Sequence, residues 1–176
     1  MLHYSPDQLH LYLMDFKGGT EFKIYESERL PHIQLLALDA MQEFGESILQ
    51  NLVDEMERRS NAFKNAGGYT KVEDYVRGTG KPMPRILVIM DEFQILFDDS
   101  TNRKVAMRSA NHAKRIVTEG RAYGVHLLMA TQSTNIISTL TLDRGTIEQM
   151  RVRIGLKCGE DDAHRAGIHH DHPQHG

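Results

Sequence analysis

Residues 85–90, with the sequence RILVIM, form the most apolar run in the chain, and two acids, Asp91 and Glu92, follow it directly. A short run that is apolar throughout, rather than alternating with polar residues, is typical of a strand that is covered on both faces. Such strands occur mainly in parallel sheets, and open α/β folds bind their ligands at the carboxyl edge of the sheet. The run therefore favours an α/β fold and delivers two carboxylates to the edge where ligands bind.

Three further apolar runs predict strands of the same kind. They cover residues 9–14, 125–130 and 152–157. Two long segments between them predict helices at residues 39–66 and 102–121, and there is helical potential around residues 72–76. Strands that alternate with helices in this way give a parallel sheet with helical crossovers. The expected architecture is a three-layer α/β domain.

The helix predicted at residues 39–66 has a recognisable beginning and end. Asp39 is a candidate N-cap, and Gln42 follows three residues later, where its side chain can reach back to the cap. Five apolar side chains recur at spacings of three and four and predict one buried stripe: Met41, Phe44, Ile48, Leu52 and Met56. Gly67 and Gly68 are expected to end the helix.

The composition limits the class of protein and of partner. Hydrophobic residues make up 40% of the chain and charged residues 26%, as in ordinary globular domains, and no apolar stretch reaches the roughly 18 residues of a membrane span. The N-terminus has no signal-peptide pattern, so a cytoplasmic location is expected, and a membrane anchor elsewhere in a longer protein stays open. The net charge is −3, so a contact with DNA would need a local basic patch. The basic residues of the helix at 102–121 are candidates, with a solvated face or a subunit contact as the alternative.

Asp91 and Glu92 have the chemistry of a site that hydrolyses a nucleotide. In P-loop NTPases an acid at this position holds Mg²⁺, usually through water, and a second acid beside it orients or deprotonates the attacking water. Gln132, which follows the strand predicted at 125–130, offers a polar side chain that can sense the γ-phosphate. Residues 15–19, DFKGG, form a further candidate after the first strand. The alternatives are solvated acids at a strand end, a loop amide and an ordinary turn.

Several segments in the same order together resemble the motor domains of the FtsK/SpoIIIE family. They are LYLMDFKGGTEF, LPHI, the helix ending in MERRSNAFKNAGGY, the strand ILVIMDEF, and GRAYGVHLLMATQ. The resemblance extends from about residue 5 to about residue 163. The DFKGG turn is more similar to the ATPases of type VII protein secretion, which belong to the same family, than to the chromosome translocases.

The resemblance implies a RecA-like P-loop ATPase that uses ATP and Mg²⁺, assembles into rings and moves a polymer through the centre. It assigns Asp91 to the metal, Glu92 to catalysis, and Gln132 to catalysis and nucleotide sensing. Arg121 and Arg153 lie in matching segments, and either is a candidate for an arginine that acts in trans on the nucleotide of a neighbouring subunit. DNA is the expected polymer. The alternatives are a type VII-like protein secretion ATPase and a truncated module that only assembles.

The sequence departs from the family pattern at both ends. No segment reads G-x-x-x-x-G-K-[ST], the phosphate-binding loop, so we expect the chain to begin after that loop and not to hydrolyse ATP on its own. Residues 1–163 are expected to form the Walker B and sensor half of the ATPase domain. Residues 164–176 are rich in histidine, and we expect a disordered tail there rather than a metal site. In the resembled fold the P-loop strand lies between residues 125–130 and 152–157, and its absence would leave a gap that favours self-association.

Overall fold

The computed structural model describes residues 3–19, 21–28, 30–132 and 141–154, without the side chain of Arg144. The strands within them are β1 (Leu9–Asp15), β2 (Ile33–Ala37), β3 (Arg85–Asp91) and β4 (Val125–Met129). The helices are α1 (Ile24–Ser27), α2 (Gln42–Asn65), α3 (Val72–Thr79), α4 (Gln94–Phe97), α5 (Asp99–Tyr123) and α6 (Arg144–Gln149). The α/β fold and the strands predicted at residues 9–14, 85–90 and 125–130 are confirmed.

The four strands form one parallel sheet in the order β2-β1-β3-β4. Asp15 at the end of β1 pairs in register with Asp91 at the end of β3, and Met90 pairs with Met129 of β4. Because all strands run in the same direction, their carboxyl ends meet at one edge of the sheet. This edge carries the acids that the sequence singled out.

The main core lies between one face of the sheet and the helices α2 and α5. Alternate residues of β3 enter it: Ile86, Val88 and Met90 are all at most 3% exposed. Side chains of α2 such as Leu49 and Met56 pack against them, together with Ile116 and neighbouring apolar residues of α5. Burying each large apolar side chain contributes roughly 1.5–3 kcal/mol, so this layer fixes the position of β3 and of the acids at its end.

Helix α2 begins later than the sequence predicts. Met41, not Asp39, is its N-cap, and no side chain caps the helix there; Asp39 instead adopts a left-handed backbone with φ 62°. Gln42 does not reach back to a cap: its side chain is buried and donates hydrogen bonds to the carbonyls of Ile95 and Asp98, at 2.8 and 2.7 Å. Tertiary contacts with the segment after β3 therefore set the start of the helix.

The predicted apolar stripe of α2 is only partly buried. Ile48, Leu52 and Met56 are at most 8% exposed, but Met41 and Phe44 are 71% and 41% exposed. The helix meets the sheet from its second turn onward, so its first apolar residues lie outside the core. Its end is as predicted, because Gly67 and Gly68 follow it with φ of 121° and 82°.

Four elements were not predicted, and one predicted strand is not found in the part of it that the structure describes. The elements that the sequence did not predict are α1, β2, α4 and α6. Residues 152–154 form no strand and are exposed, so the prediction of a strand at residues 152–157 is wrong for its first half; residues 155–157 lie outside the described residues. The main part of α5 begins as predicted at Asn102, whose non-helical backbone (φ −147°) interrupts the helix and whose side chain accepts the Val105 N–H.

None of the helices among the described residues is long and apolar enough to cross a bilayer. The histidine-rich end at residues 164–176, and the domain boundary predicted before it, lie outside the described residues.

Candidate active site at the carboxyl edge of the sheet

Asp15 and Asp91 lie opposite each other at the ends of neighbouring strands. Glu21, in the loop after β1, joins them, and one carboxylate oxygen from each of the three acids lies within 4.8 Å of the others. Asp15 is completely buried, Asp91 is half-buried and Glu21 is exposed. The carboxyl edge therefore presents a group of acids rather than the two predicted after β3.

Asp91 is held by the backbone that follows it. Its Oδ1 accepts the N–H of Glu92 at 3.0 Å. Burial raises the pKa of the Asp91 carboxyl, and the negative charges of Glu21, Glu92 and Asp15 raise it further, against the lowering effect of that hydrogen bond. A site with this excess of negative charge favours the binding of a cation.

Glu92 has a strained backbone and a buried side chain. Its φ of 51° lies in the left-handed region, which costs a non-glycine residue about 1–3 kcal/mol and recurs at functional sites. The residue is 3% exposed. Its Oε2 accepts a hydrogen bond of 2.5 Å from Gln94, while Oε1 has no hydrogen-bond partner and lies 3.6 Å from the ammonium of Lys17. One carboxylate oxygen is thus fixed and the other is available.

The turn that carries Glu92 is tied to the end of β4. Ala130 donates its N–H to the Met90 carbonyl at 2.9 Å, and its own carbonyl accepts the N–H of Phe93 at 3.2 Å. Gln132 is exposed and stands two residues beyond Ala130. The structure therefore brings Gln132 to the same edge as Asp91 and Glu92. The role of Gln132 as a sensor of bound nucleotide stays a prediction.

The DFKGG turn after β1, residues 15–19, contacts the acids at this edge. Asp15 Oδ1 accepts the Lys17 N–H at 2.8 Å, and the Asp15 carbonyl accepts the N–H of Ala40 at 2.7 Å. Gly18 has a φ of 67°, which favours glycine, and Gly19 has no room for a side chain beside the Asp15 carboxylate. The turn is therefore part of the acidic site and not merely a connection between two elements.

Arg121 does not lie at this edge, and Arg153 lies outside the strands of the sheet. Arg121 is exposed near the C-terminus of α5, where its charge acts on His126 at the amino end of β4. Arg153 is exposed in the segment at residues 151–154, outside any helix or strand. Arg121 thus lies near the amino end of β4, whereas the acids lie at the carboxyl edge of the sheet. It therefore cannot act beside Asp91 of the same chain.

Three basic residues of α5 form ion pairs within the chain. Arg108 contacts Glu46 at 3.0 Å, Arg115 contacts Glu57 at 2.7 Å, and Lys114 contacts Asp143 at 3.0 Å. These pairs join α5 to α2 and to the start of α6. The predicted basic patch is thus partly neutralised by acids of its own chain.

Glu21 and Gln94 are site residues that the sequence reasoning missed. Gln94 stands two residues after Glu92, and Glu21 two residues after the glycine pair. Proximity in sequence was the available signal for both. It was insufficient because either side chain would serve equally well as a solvated loop residue.

Residues 1–135 match the sequence model of the FtsK/SpoIIIE family. The ESX secretion system protein EccC of Thermomonospora curvata is 29% identical over 161 residues, which are 88% of this chain and 11% of EccC. The solved cytoplasmic domain of that type VII secretion ATPase has a TM-score of 0.60 at 28% identity, over 83% of this chain and 16% of the solved one. The DNA translocase FtsK of Streptococcus pyogenes is 33% identical over 152 residues, which are 80% of this chain and 18% of FtsK.

The fold also matches the pCW3 conjugation coupling protein TcpA, solved as a monomer with ATPγS. The TM-score is 0.56 at 23% identity, over 77% of this chain and 40% of TcpA, and this likeness concerns the fold alone. The chain spans between 11% and 18% of the length of the EccC and FtsK relatives. These relatives include a secretion ATPase and a DNA translocase, so they do not choose between the two activities. They and the family match do establish one conclusion: the chain belongs to the FtsK/SpoIIIE family.

Proposed function

We propose that residues 1–163 form the Walker B and sensor half of an ATP-driven motor, which couples ATP hydrolysis to the movement of a polymer. The observation that carries this proposal is Glu92, a buried carboxylate on a strained backbone directly after Asp91 at the carboxyl edge of the sheet. Strain of this kind persists only where the surrounding structure maintains it. The orientation of Glu92 thus has the character of a preorganised catalytic group.

The residues at this edge suit a divalent cation. Carboxylate oxygens are the ligands that Mg²⁺ prefers, and Asp91 would hold it, usually through water. Two buried oxygens, Asp15 Oδ2 and Glu92 Oε1, have no hydrogen-bond partner. Bound Mg²⁺ would neutralise charge on the phosphate oxygens of ATP, and Gln132 would contact the nucleotide from the neighbouring strand end.

Glu92 would act as the general base. Gln94 holds Oε2, so Oε1 is the atom that can orient a water molecule and accept its proton. Lys17 reaches Oε1 from the solvent side at 3.6 Å, with 64% of its side chain exposed. Because that ion pair is long and exposed, a water molecule competing for Oε1 displaces it at small cost.

DNA is the polymer we propose first, as in the FtsK translocases of this family. A specific observation favours a second candidate, a protein moved by a type VII-like secretion ATPase. The DFKGG turn, which lies at the site, resembles that of the secretion ATPases more than that of the chromosome translocases, and EccC matches 88% of the chain. In either case we propose a cytoplasmic ring of subunits, with Arg121 or Arg153 acting on the nucleotide of the neighbouring subunit.

The test uses a longer protein that contains this chain together with a phosphate-binding loop. Its MgATP turnover is measured alone, with duplex DNA and with a secreted protein substrate. Stimulation by DNA supports the translocase, and stimulation by the protein substrate supports the secretion ATPase. No turnover under any of these conditions, from a protein that binds ATP, would favour the module that only assembles.

A further inference from the structure

The three acids at the carboxyl edge come from separate parts of the chain. Asp15 ends β1, Asp91 ends β3, and Glu21 lies in the loop that follows β1, yet their oxygens lie within 4.8 Å of one another. Like charges at this separation repel, unless a proton or a cation lies among them. The chain thus maintains an arrangement that is unfavourable by itself.

Asp15 gives a second and independent observation. It is 0% exposed, and although its Oδ1 accepts the Lys17 N–H, its Oδ2 has no hydrogen-bond partner. A buried carboxylate oxygen without a donor is costly, and native proteins rarely leave one without a purpose. Among the described residues, no ion pair joins Asp15 to a cation, since the ammonium of Lys17 lies against Glu92 instead.

The absence of a side chain at Gly19 keeps the space beside Asp15 open. A Cβ atom at this position would lie 2.7 Å from Asp15 Oδ2 and would also meet the Glu21 carboxylate. Both oxygens border the position that such a methyl group would fill. Asp15 Oδ2, the oxygen without a hydrogen-bond partner, therefore lies on the side of the carboxylate that faces Glu21.

We propose that Asp15, Glu21 and Asp91 together hold one hard divalent cation, of the Mg²⁺, Mn²⁺ or Ca²⁺ class, in the absence of nucleotide. This proposal rests on the metal role proposed above for Asp91 and adds two ligands to it. Sites made of oxygen ligands alone select hard cations. The observed spread of 4.8 Å suits one ion, because Ca²⁺ holds oxygens at about 2.3–2.6 Å, on opposite sides of itself.

The three ligands contribute in different ways. Asp15 is fixed by burial and by its bond to the Lys17 N–H, so it sets the position of the ion. Glu21 is exposed and can move inward when the ion arrives. Because Glu92 follows Asp91 directly, an ion held here stands beside the general base before ATP binds.

The experiment is a Mn²⁺ titration of the full chain, followed by the electron paramagnetic resonance signal of free Mn²⁺. We expect one site that Mg²⁺ and Ca²⁺ displace, with a dissociation constant on the order of 10⁻⁴ to 10⁻³ M, as at the weaker Ca²⁺ sites of proteins. The histidines of residues 164–176 offer nitrogen ligands, which Ca²⁺ does not take, so only the part that Ca²⁺ displaces is counted.

Asp15→Asn, Glu21→Gln and Asp91→Asn should each weaken this binding by about tenfold or more. The matched controls are Asp54→Asn and Glu26→Gln, exposed acids outside the cluster, which should bind as the unmodified chain does. In metal-free buffer Asp15→Asn should raise the melting temperature, because it removes a buried charge and keeps an oxygen for the Lys17 N–H. Added Ca²⁺ should raise the melting temperature of the unmodified chain and not that of this variant.

Absence of any Ca²⁺-displaceable site would overturn the proposal. Binding that depends on Asp91 but not on Asp15 or Glu21 would also overturn it, while leaving the metal role of Asp91 intact. Loss of Mn²⁺ binding in a variant is evidence for the site only if the circular dichroism spectrum of that variant is native. If Asp15→Asn unfolds the chain, Glu21→Gln decides the question, because Glu21 is exposed and its substitution should not unfold the chain. Failure of the proposed ATPase function is recognised separately, by turnover that does not depend on Glu92.

Discussion

Gln94 donates a hydrogen bond of 2.5 Å to Oε2 of Glu92, and both side chains are buried. The donor stands only two residues after the acceptor and is the first residue of α4. A carboxylate with 3% exposure needs such a donor, since burial without one costs several kcal/mol. Gln94 is thus a positioning residue for the carboxylate to which we assign catalysis.

Gln94→Ala should lower the free energy of unfolding by about 1–3 kcal/mol, because it leaves a buried carboxylate oxygen without its donor. Urea denaturation at neutral pH measures this. The matched control is Gln50→Ala, which removes an exposed bond to Asp54 and should change stability by about 0.5 kcal/mol or less. Equal losses in the two variants would contradict the role of Gln94.

Arg59→Ala should destabilise the chain more than the loss of an exposed charge from α2 does. The Arg59 side chain is 3% exposed and binds Glu55 and the Tyr123 carbonyl, both at 2.7 Å. Its loss leaves the Tyr123 carbonyl without this donor, whereas Glu55 keeps its bonds from Arg58. We expect a loss of about 1–3 kcal/mol in urea denaturation. Arg58 is the natural control, because it binds the same Glu55 with a side chain that is 64% exposed; Arg58→Ala should cost about 1 kcal/mol or less.

His126 should make the chain less stable as the pH falls below neutrality. Burial lowers the pKa of His126, and the neighbouring Arg85 lowers it further. The folded chain therefore takes up this proton at lower pH than the unfolded chain, whose histidine titrates near pH 6.5. The stability is present above that pH and is lost as the pH falls toward the folded pKa. In melting experiments between pH 8 and 5, His126→Gln should flatten this decline; an unchanged slope would contradict the assignment.

The open edge of β4 should make the chain self-associate. Within the described residues β4 pairs only with β3, so backbone groups on its outer edge lack a neighbouring strand, and Leu128 is 47% exposed. Light scattering across a dilution series should show a mass that rises with concentration. Leu128→Lys should reduce the association, whereas Met107→Lys, at a side chain on α5 that is 50% exposed, should not. A monomer at all concentrations would contradict this prediction.

Local pattern was enough to predict the elements that bear the central acids. Residues 86–90 are apolar without interruption, and the runs at 9–14 and 125–130 are likewise apolar enough to be recognised as strands from their own sequences. Gly67 and Gly68 likewise stop a helix by their own conformational freedom. For this reason the α/β fold and the position of Asp91 and Glu92 at the carboxyl edge follow from the sequence.

The missed features depend on contacts between distant residues. β2 exists because Leu35 and its neighbours pair with β1, which no pattern inside the segment requires. The capping role predicted for Asp39 is lost because Ala40 donates its N–H to the Asp15 carbonyl, a contact that spans two elements. The inclusion of Glu21 in the acid cluster likewise depends on a loop returning to the end of β3.

The catalytic role of Glu92 is the central claim, and Glu92→Gln tests it most directly. In a longer protein that combines this chain with a phosphate-binding loop, the variant should bind ATP with unchanged affinity. Its turnover should fall by about 10²–10⁴-fold, because the amide keeps the bond from Gln94 but cannot accept a proton from water. Turnover close to that of the unmodified protein, or a loss of ATP affinity as large as the loss of turnover, would contradict the account.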